Sequence, residues 1–151
     1  MSAARMNGRV TVTVAAAALL LAATGAFTLH AAAQQKTTMD SVYTAEQAMR
    51  GLESYQQECA QCHLDDLLGD GIAPALIGAP FHFRWSDLSV GDMVVAIRTT
   101  MPQGAPASLS PQAYVDIVAY MLEVNDFPAG DTELPTDQTE LESIIISQES
   151  Q

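Results

Sequence analysis

Five residues that interrupt regular structure, Gly69, Gly71, Pro74, Gly78 and Pro80, fall in the single stretch from Leu64 to Pro80. Glycine and proline at that density predict a loop with at most a turn of helix. Met101 to Pro106 is a second loop. The segment from Asp40 to Pro128 holds under 90 residues, and two of its stretches are irregular. Domains of that size bury a low fraction of their surface and often need an extra core element. Two cysteines cannot make a disulfide-dense scaffold. Something else should fill the centre.

Around these loops the chain predicts three helices. Thr44 and Gln47 form a Thr-x-x-Gln capping box that starts the first. It should run to about Cys59, with Met49, Leu52 and Tyr55 on one face. Ser86 or Ser89 caps the second, which carries Met93, Val94 and Ile97. Pro102 ends it by pushing Met101 out of the α region. Ser110 caps the third, with Pro111 at the favoured first position. Tyr114, Ile117, Val118, Met121 and Leu122 then form one apolar face, and Asn125 and Pro128 stop the helix. Gln34 to Asp40 reads as a polar lead-in. Residues 131–151 read as an acidic, flexible tail whose polarity is interrupted only by Ile144, Ile145 and Ile146. No segment predicts a convincing strand, so the expected class is all-α.

The first 33 residues read differently. Arg5 and Arg9 precede a nearly unbroken apolar run from Val10 to Leu29, followed by His30-Ala31-Ala32-Ala33-Gln34. This is the pattern of a secretory signal peptide cleaved after Ala33. The alternative is an uncleaved anchor, since about 20 apolar residues can span a bilayer; membrane contact is expected only in that case. Either way the rest of the chain is exported, to the periplasm or an equivalent space. Beyond residue 33 four basic residues, Lys36, Arg50, Arg84 and Arg98, face all 18 acidic ones, a net charge of −14. No basic stripe exists to neutralise phosphates, so a nucleic-acid partner is excluded.

Both cysteines sit in Cys59-Ala60-Gln61-Cys62-His63. Cys-x-x-Cys-His is the attachment signal for a c-type haem. Two intervening residues let both thiols reach the two vinyl groups on one haem edge as thioethers, and the adjacent His63 supplies the proximal iron ligand. A thioredoxin-like redox pair would need a βαβ context that is missing here. A zinc site would need four ligands, and beyond this motif only His82 is a typical one. One covalent haem c would also be the missing core.

These residues resemble a class I cytochrome c over roughly Thr44 to Gly130, which places the domain at 40–130. Gly51 and Tyr55, eight and four residues before Cys59, and Ile117 with Tyr120 match the family positions where the first helix crosses the last. Pro74 with Leu76 resembles the family's Pro-x-Leu, which implies that the Pro74 carbonyl orients the proximal histidine. The chain departs from the common pattern at Leu64, where glycine often follows the haem histidine. It also lacks the lysine ring of cytochromes that dock on acidic oxidases. A narrower similarity is to the small cytochromes, or fused haem domains, of quinoprotein (PQQ-dependent) alcohol dehydrogenases. It is carried by Pro74 to Gly78, Phe81, Trp85, Thr100-Met101-Pro102, Ser108 to Ser110, Tyr114, Ala119-Tyr120 and Asn125 to Gly130.

For the sixth iron ligand, Met49, Met93 and Met121 lie on predicted helix faces and suit core packing, while Met39 precedes the first helix. Met101 lies in a loop before Pro102 and resembles the family's ligand motif. The 38 residues that separate it from His63 are ample to pass around a haem. His82, between Phe81 and Phe83, is the rival. Arg84 and Trp85 read as haem-edge residues that can donate to the propionates. The expected function is one-electron transfer without catalysis, between a redox donor such as a PQQ-dependent dehydrogenase and a terminal oxidase or another cytochrome. A peroxidase-like or gas-binding haem protein would need a labile sixth position. An interaction module built on the acidic tail is the third alternative.

Overall fold

Thr44 fixes the start of the first helix. Its Oγ1 accepts from the amide of Gln47 at 3.1 Å, which satisfies one orphan donor of the first turn. The computed structural model describes residues 35–148. In it α1 spans Ala45–Glu58, α2 Ala60–His63, α3 Ala79–Trp85, α4 Val90–Thr100, α5 Pro111–Glu123 and α6 Gln138–Glu142. Two short strands, β1 (Lys36–Thr37) and β2 (Ile144–Ile145), and a turn of 3-10 helix at Thr38–Asp40 complete the elements of the described residues. The all-α class holds.

The crossing of α1 and α5 is the main helix contact. Gln47, Ala48, Gly51 and Tyr55 are the buried residues of α1, and Tyr114 to Leu122 are buried on α5. Gly51 makes the close approach possible. A Cβ there would sit 1.9 Å from the carbonyl oxygen of Asp116, so only glycine fits. Tyr55 and Tyr120 pack with ring centroids 5.4 Å apart. Asp116 is buried, and its carboxylate is paired with Arg50 at 3.0 Å and with Gln112 at 2.7 Å. A buried carboxylate needs such partners. The hydrogen bonds that Arg50 donates to Asp116 and Glu133 raise its pKa further above its ordinary value.

Of the two candidate caps for the second predicted helix, Ser89 serves. Its Oγ accepts from the Asp92 amide at 2.9 Å, and Asp92 accepts in return from the Ser89 amide at 3.0 Å. Ser86 instead closes α3. As Pro102 requires, Met101 is extended (φ −128°, ψ 153°) and ends α4. Ser110 caps α5, and Pro111 opens it.

Four expectations need correction. Met49, expected to pack in the core with Tyr55, points outward from α1 and is 57% exposed. Ala79–Trp85 is helical, so the first loop ends in α3 with Pro80 in its first turn, where a missing amide costs nothing. The lead-in forms β1, which pairs in parallel with β2 in the register Lys36–Ile144 and Thr37–Ile145. The tail is not loose over its described part. Leu134, Leu141, Ile144 and Ile146 are buried in the core cluster, and α6 packs on α4. Gln47 clamps the segment by donating to the Leu134 carbonyl at 3.1 Å and accepting from its amide at 2.8 Å. Ile146 exchanges backbone bonds with Asp87 and Leu88. The four apolar residues are spread among acidic ones, and each contributes burial of about 1.5–3 kcal/mol. The domain therefore extends past residue 130. The proposed signal or anchor, residues 1–33, lies outside the described residues. Among those described, no helix is long and apolar enough to cross a membrane.

Candidate haem site

The cysteine motif occupies one short turn. Cys59 leaves α1 with its amide still bonded to the Tyr55 carbonyl at 2.8 Å, and its backbone then departs from helical angles. The chain restarts as α2, where the amides of Cys62 and His63 both reach the Cys59 carbonyl, at 3.1 and 3.0 Å. Residues three apart on a helical turn share a face, so the two thiols can serve one ligand edge. The two cysteines form no disulfide with each other; Cys59 is half-buried and Cys62 exposed. Before attachment, burial, with Glu58 beside it, pushes the Cys59 thiol up to about 11.

His63 is buried, and its Nδ1 lies 2.9 Å from the carbonyl oxygen of Pro74. A carbonyl only accepts, so Nδ1 carries the proton and donates. In the neutral ring Nε2 then keeps its lone pair for a metal. This is the tautomer a c-type haem iron requires of its histidine, so the residues present fit the group.

The Pro74 carbonyl is itself held. Leu76 donates from its amide to the Leu67 carbonyl at 2.8 Å, with Leu67 buried against Tyr55 and Tyr120. Asn125, buried at the end of α5, accepts from the Gly78 amide at 2.9 Å. It also donates to the carbonyls of Leu76 at 3.0 Å and Met121 at 2.7 Å. From sequence Asn125 reads only as a helix stop. Its supporting role carries no local signal, because the two partners that belong to the haem loop, Gly78 and Leu76, are backbone atoms nearly fifty residues away.

Tyr55 does more than pack. Its hydroxyl donates to the Leu64 carbonyl at 2.6 Å. Leu64 follows His63 at φ 62°, ψ 161°, a region nearly confined to glycine. The departure from glycine noted in the sequence therefore leaves a strained leucine, pinned by Tyr55 and by its own amide bond to Ala60. Burial, chiefly, raises the Tyr55 pKa well above its ordinary value, so the hydroxyl stays protonated as this donor.

Met101 is half-buried at the end of α4. Its amide bonds to Ile97 at 2.7 Å, and its carbonyl accepts from the Tyr114 hydroxyl of α5 at 2.9 Å. Tyr114 thus holds the backbone of the methionine loop, a part that its helical spacing alone did not reveal. Trp85 is a core residue, and the exposed Arg84 lies over its ring with the guanidinium carbon 4.8 Å from the centroid. His82 packs its ring against Phe81 and Phe127, with Nε2 3.2 Å from Gln148. Cys59, Cys62, His63 and Pro74 are brought together. No hydrogen bond among the described residues joins Met101, Arg84 or Trp85 to them.

A family model described as cytochrome c oxidase, cbb3-type, subunit III, matches residues 46–121, from the first turn of α1 into the last turns of α5. No curated protein and no solved structure matches the chain. The match spans the whole cysteine motif and most of both crossing helices. A cytochrome c domain binds haem c covalently and transfers electrons, and Cys59 and Cys62 hold the two attachment positions. The chain belongs to the family described as cytochrome c oxidase, cbb3-type, subunit III, and its folded domain is a c-type cytochrome.

Proposed function

We propose that the chain is an exported one-electron carrier whose haem iron is held by His63 on one side and Met101 on the other. The observation that carries this reading is the 2.9 Å contact of His63 Nδ1 with the Pro74 carbonyl. Haem c supplies a reversible ferric/ferrous couple, and a thioether opposite a histidine raises its potential. The protein's part is to hold both axial residues still. The Pro74 carbonyl sets the ring orientation and basicity of His63. Tyr114 and the α4 cap restrain the Met101 backbone. The α1–α5 crossing and Asn125 keep the two halves of the site in register.

With His63 and Met101 both holding the iron, no place would be left for a substrate, which would separate a carrier from a peroxidase-like or gas-binding protein. Electrons would enter and leave through the haem edge near Cys59 and Cys62. Arg84 and Trp85 are proposed to face the propionates. The residues shared with quinoprotein dehydrogenase cytochromes suggest such an enzyme as donor, and a terminal oxidase or another cytochrome as acceptor. The N-terminal 33 residues support a periplasmic or equivalent exported location, soluble after cleavage or anchored without it.

Redox titration of the haem-loaded protein tests this reading. A single reversible one-electron wave, with no carbon monoxide binding to the ferrous form, is expected. Ready carbon monoxide binding would instead mean an open sixth position and a haem enzyme or gas sensor.

A further inference from the structure

The loop after His63 does two things at once. It buries Leu67 in the cluster with Tyr55 and Tyr120, and it holds its other large apolar residues outward. Leu68 is 58% exposed and Ile72 91% exposed. Neither is displayed by chance of a loose chain. The amide of Leu68 bonds to the Asp66 carboxylate at 3.0 Å, and the amide of Ile72 bonds to the Asp70 carboxylate at 2.9 Å. Asp70 also accepts from Ala73 at 2.8 Å. The same local device therefore occurs twice, each time setting a carboxylate two residues before a projecting apolar side chain. Gly69 closes the loop with its amide on the His63 carbonyl at 3.0 Å. It sits at φ 69°, where a Cβ would come within 2.1 Å of the Ala73 oxygen.

Along the chain on either side of this loop the charge has one sign. Between Arg50 and Arg84 there is no lysine or arginine, while Glu53, Glu58, Asp65, Asp66 and Asp70 are present. The bonds from Ala73 and Ile72 hold the Asp70 carboxyl below its usual range, so it stays charged. The loop starts one residue after the haem motif, beside the exposed Cys62.

We propose that Leu68 and Ile72, with Asp65, Asp66 and Asp70, form the docking patch for a redox protein that presents an apolar spot framed by lysine or arginine. This rests on the electron-carrier reading. Charge complementarity steers the encounter, and the projecting leucine and isoleucine give the contact its apolar centre. The bonded loop is already ordered, so docking loses little conformational freedom.

The test uses the reduced, haem-loaded protein with two small oxidants in stopped flow. Tris-phenanthroline cobalt(III) is a cation with flat apolar faces; it takes one electron from ferrous haem and becomes cobalt(II). Ferricyanide is an anion and becomes ferrocyanide. Leu68→Ser and Ile72→Ser should each slow the cobalt reaction by roughly threefold or more, with unchanged midpoint potential. Asp66→Asn with Asp70→Asn keeps the amide acceptors and removes two charges. It should slow the cobalt reaction roughly threefold and speed that of ferricyanide. Glu140→Gln with Glu142→Gln, in α6, removes the same charge elsewhere and should change both rates by less than about twofold. Equal effects from the two double variants would reduce the result to bulk charge and overturn the proposal. So would unchanged rates in the serine variants, or a shifted potential in Ile72→Ser, which would place that side chain against the haem. Failure of reversible reduction in the unaltered protein would strike the carrier reading instead.

Discussion

His63 Nδ1 and the Pro74 carbonyl oxygen, eleven residues apart in sequence, lie 2.9 Å apart across the haem loop. Because the acceptor belongs to the backbone, no side-chain substitution at 74 deletes it. The bond depends instead on whatever holds the loop in place, and Asn125 is the main tie.

Asn125→Ala should therefore act at a distance. It strips a partner from the Gly78 amide and from the carbonyls of Leu76 and Met121. Buried groups left unsatisfied cost about 1–3 kcal/mol each, less where water enters. A loss of about 3 kcal/mol in denaturant unfolding, with a shift in midpoint potential, is expected. Unchanged potential at reduced stability would mean that the tie does not reach His63.

Gly51→Ala tests the helix crossing. The added methyl would overlap the Asp116 carbonyl, and backbone cannot yield as a side-chain tip can. Overpacking of this kind costs about 3 kcal/mol or more. Thermal unfolding of the haem-loaded variant gives the answer, and a neutral result would show that α1 and α5 can separate freely.

Leu64→Gly should stabilise the protein, against the usual effect of adding glycine to a loop. The native φ of 62° with ψ of 161° suits glycine alone, and relief of about 1–3 kcal/mol outweighs the added chain entropy of the unfolded state. A rise in melting temperature is expected. A fall would show that leucine's contacts there outweigh its strain.

Much of this is legible in the residues. Thr44, Ser89 and Ser110 announce helix starts because each side chain bonds an amide within its own turn, a purely local matter. The cysteine motif is local too. Other parts depend on distant partners. Gln47 reads as half of a capping box, yet its side chain serves Leu134. The α3 helix is short and opens beside Gly78 and Pro80, which read as loop punctuation. Leu134, Leu141, Ile144 and Ile146 follow no single period, since the chain changes from coil to helix to strand between them. Their burial becomes visible only when α4 is in place.

That buried segment yields its own expectation. Leu141→Ala should cost about 2–4 kcal/mol, as for other buried leucines, although position 141 falls in an acidic stretch that looks solvated. Urea unfolding measures it. A cost under about 0.5 kcal/mol, typical of surface sites, would contradict the packed arrangement.

The Ser89–Asp92 box predicts a pH effect. Bonds from the Ser89 side chain and amide hold the Asp92 carboxyl below its ordinary 3.8. A carboxyl lowered by folding stabilises the protein above its unfolded value, and the gain fades as pH falls through the folded one. The stability gap between wild type and Asp92→Asn should therefore be constant near neutrality and shrink below about pH 4. A gap that persists unchanged into stronger acid would assign the cap's worth to geometry instead of charge.

The ligand set is tested most directly by the iron–sulfur charge-transfer band of the oxidised, haem-loaded protein. The unaltered chain should show the band. Met101→Ala should lose it, open the ferrous iron to carbon monoxide and lower the potential, while the thioethers keep the haem attached. A wild-type spectrum without the band, or ligation that changes in His82→Ala and not in Met101→Ala, would contradict the assignment.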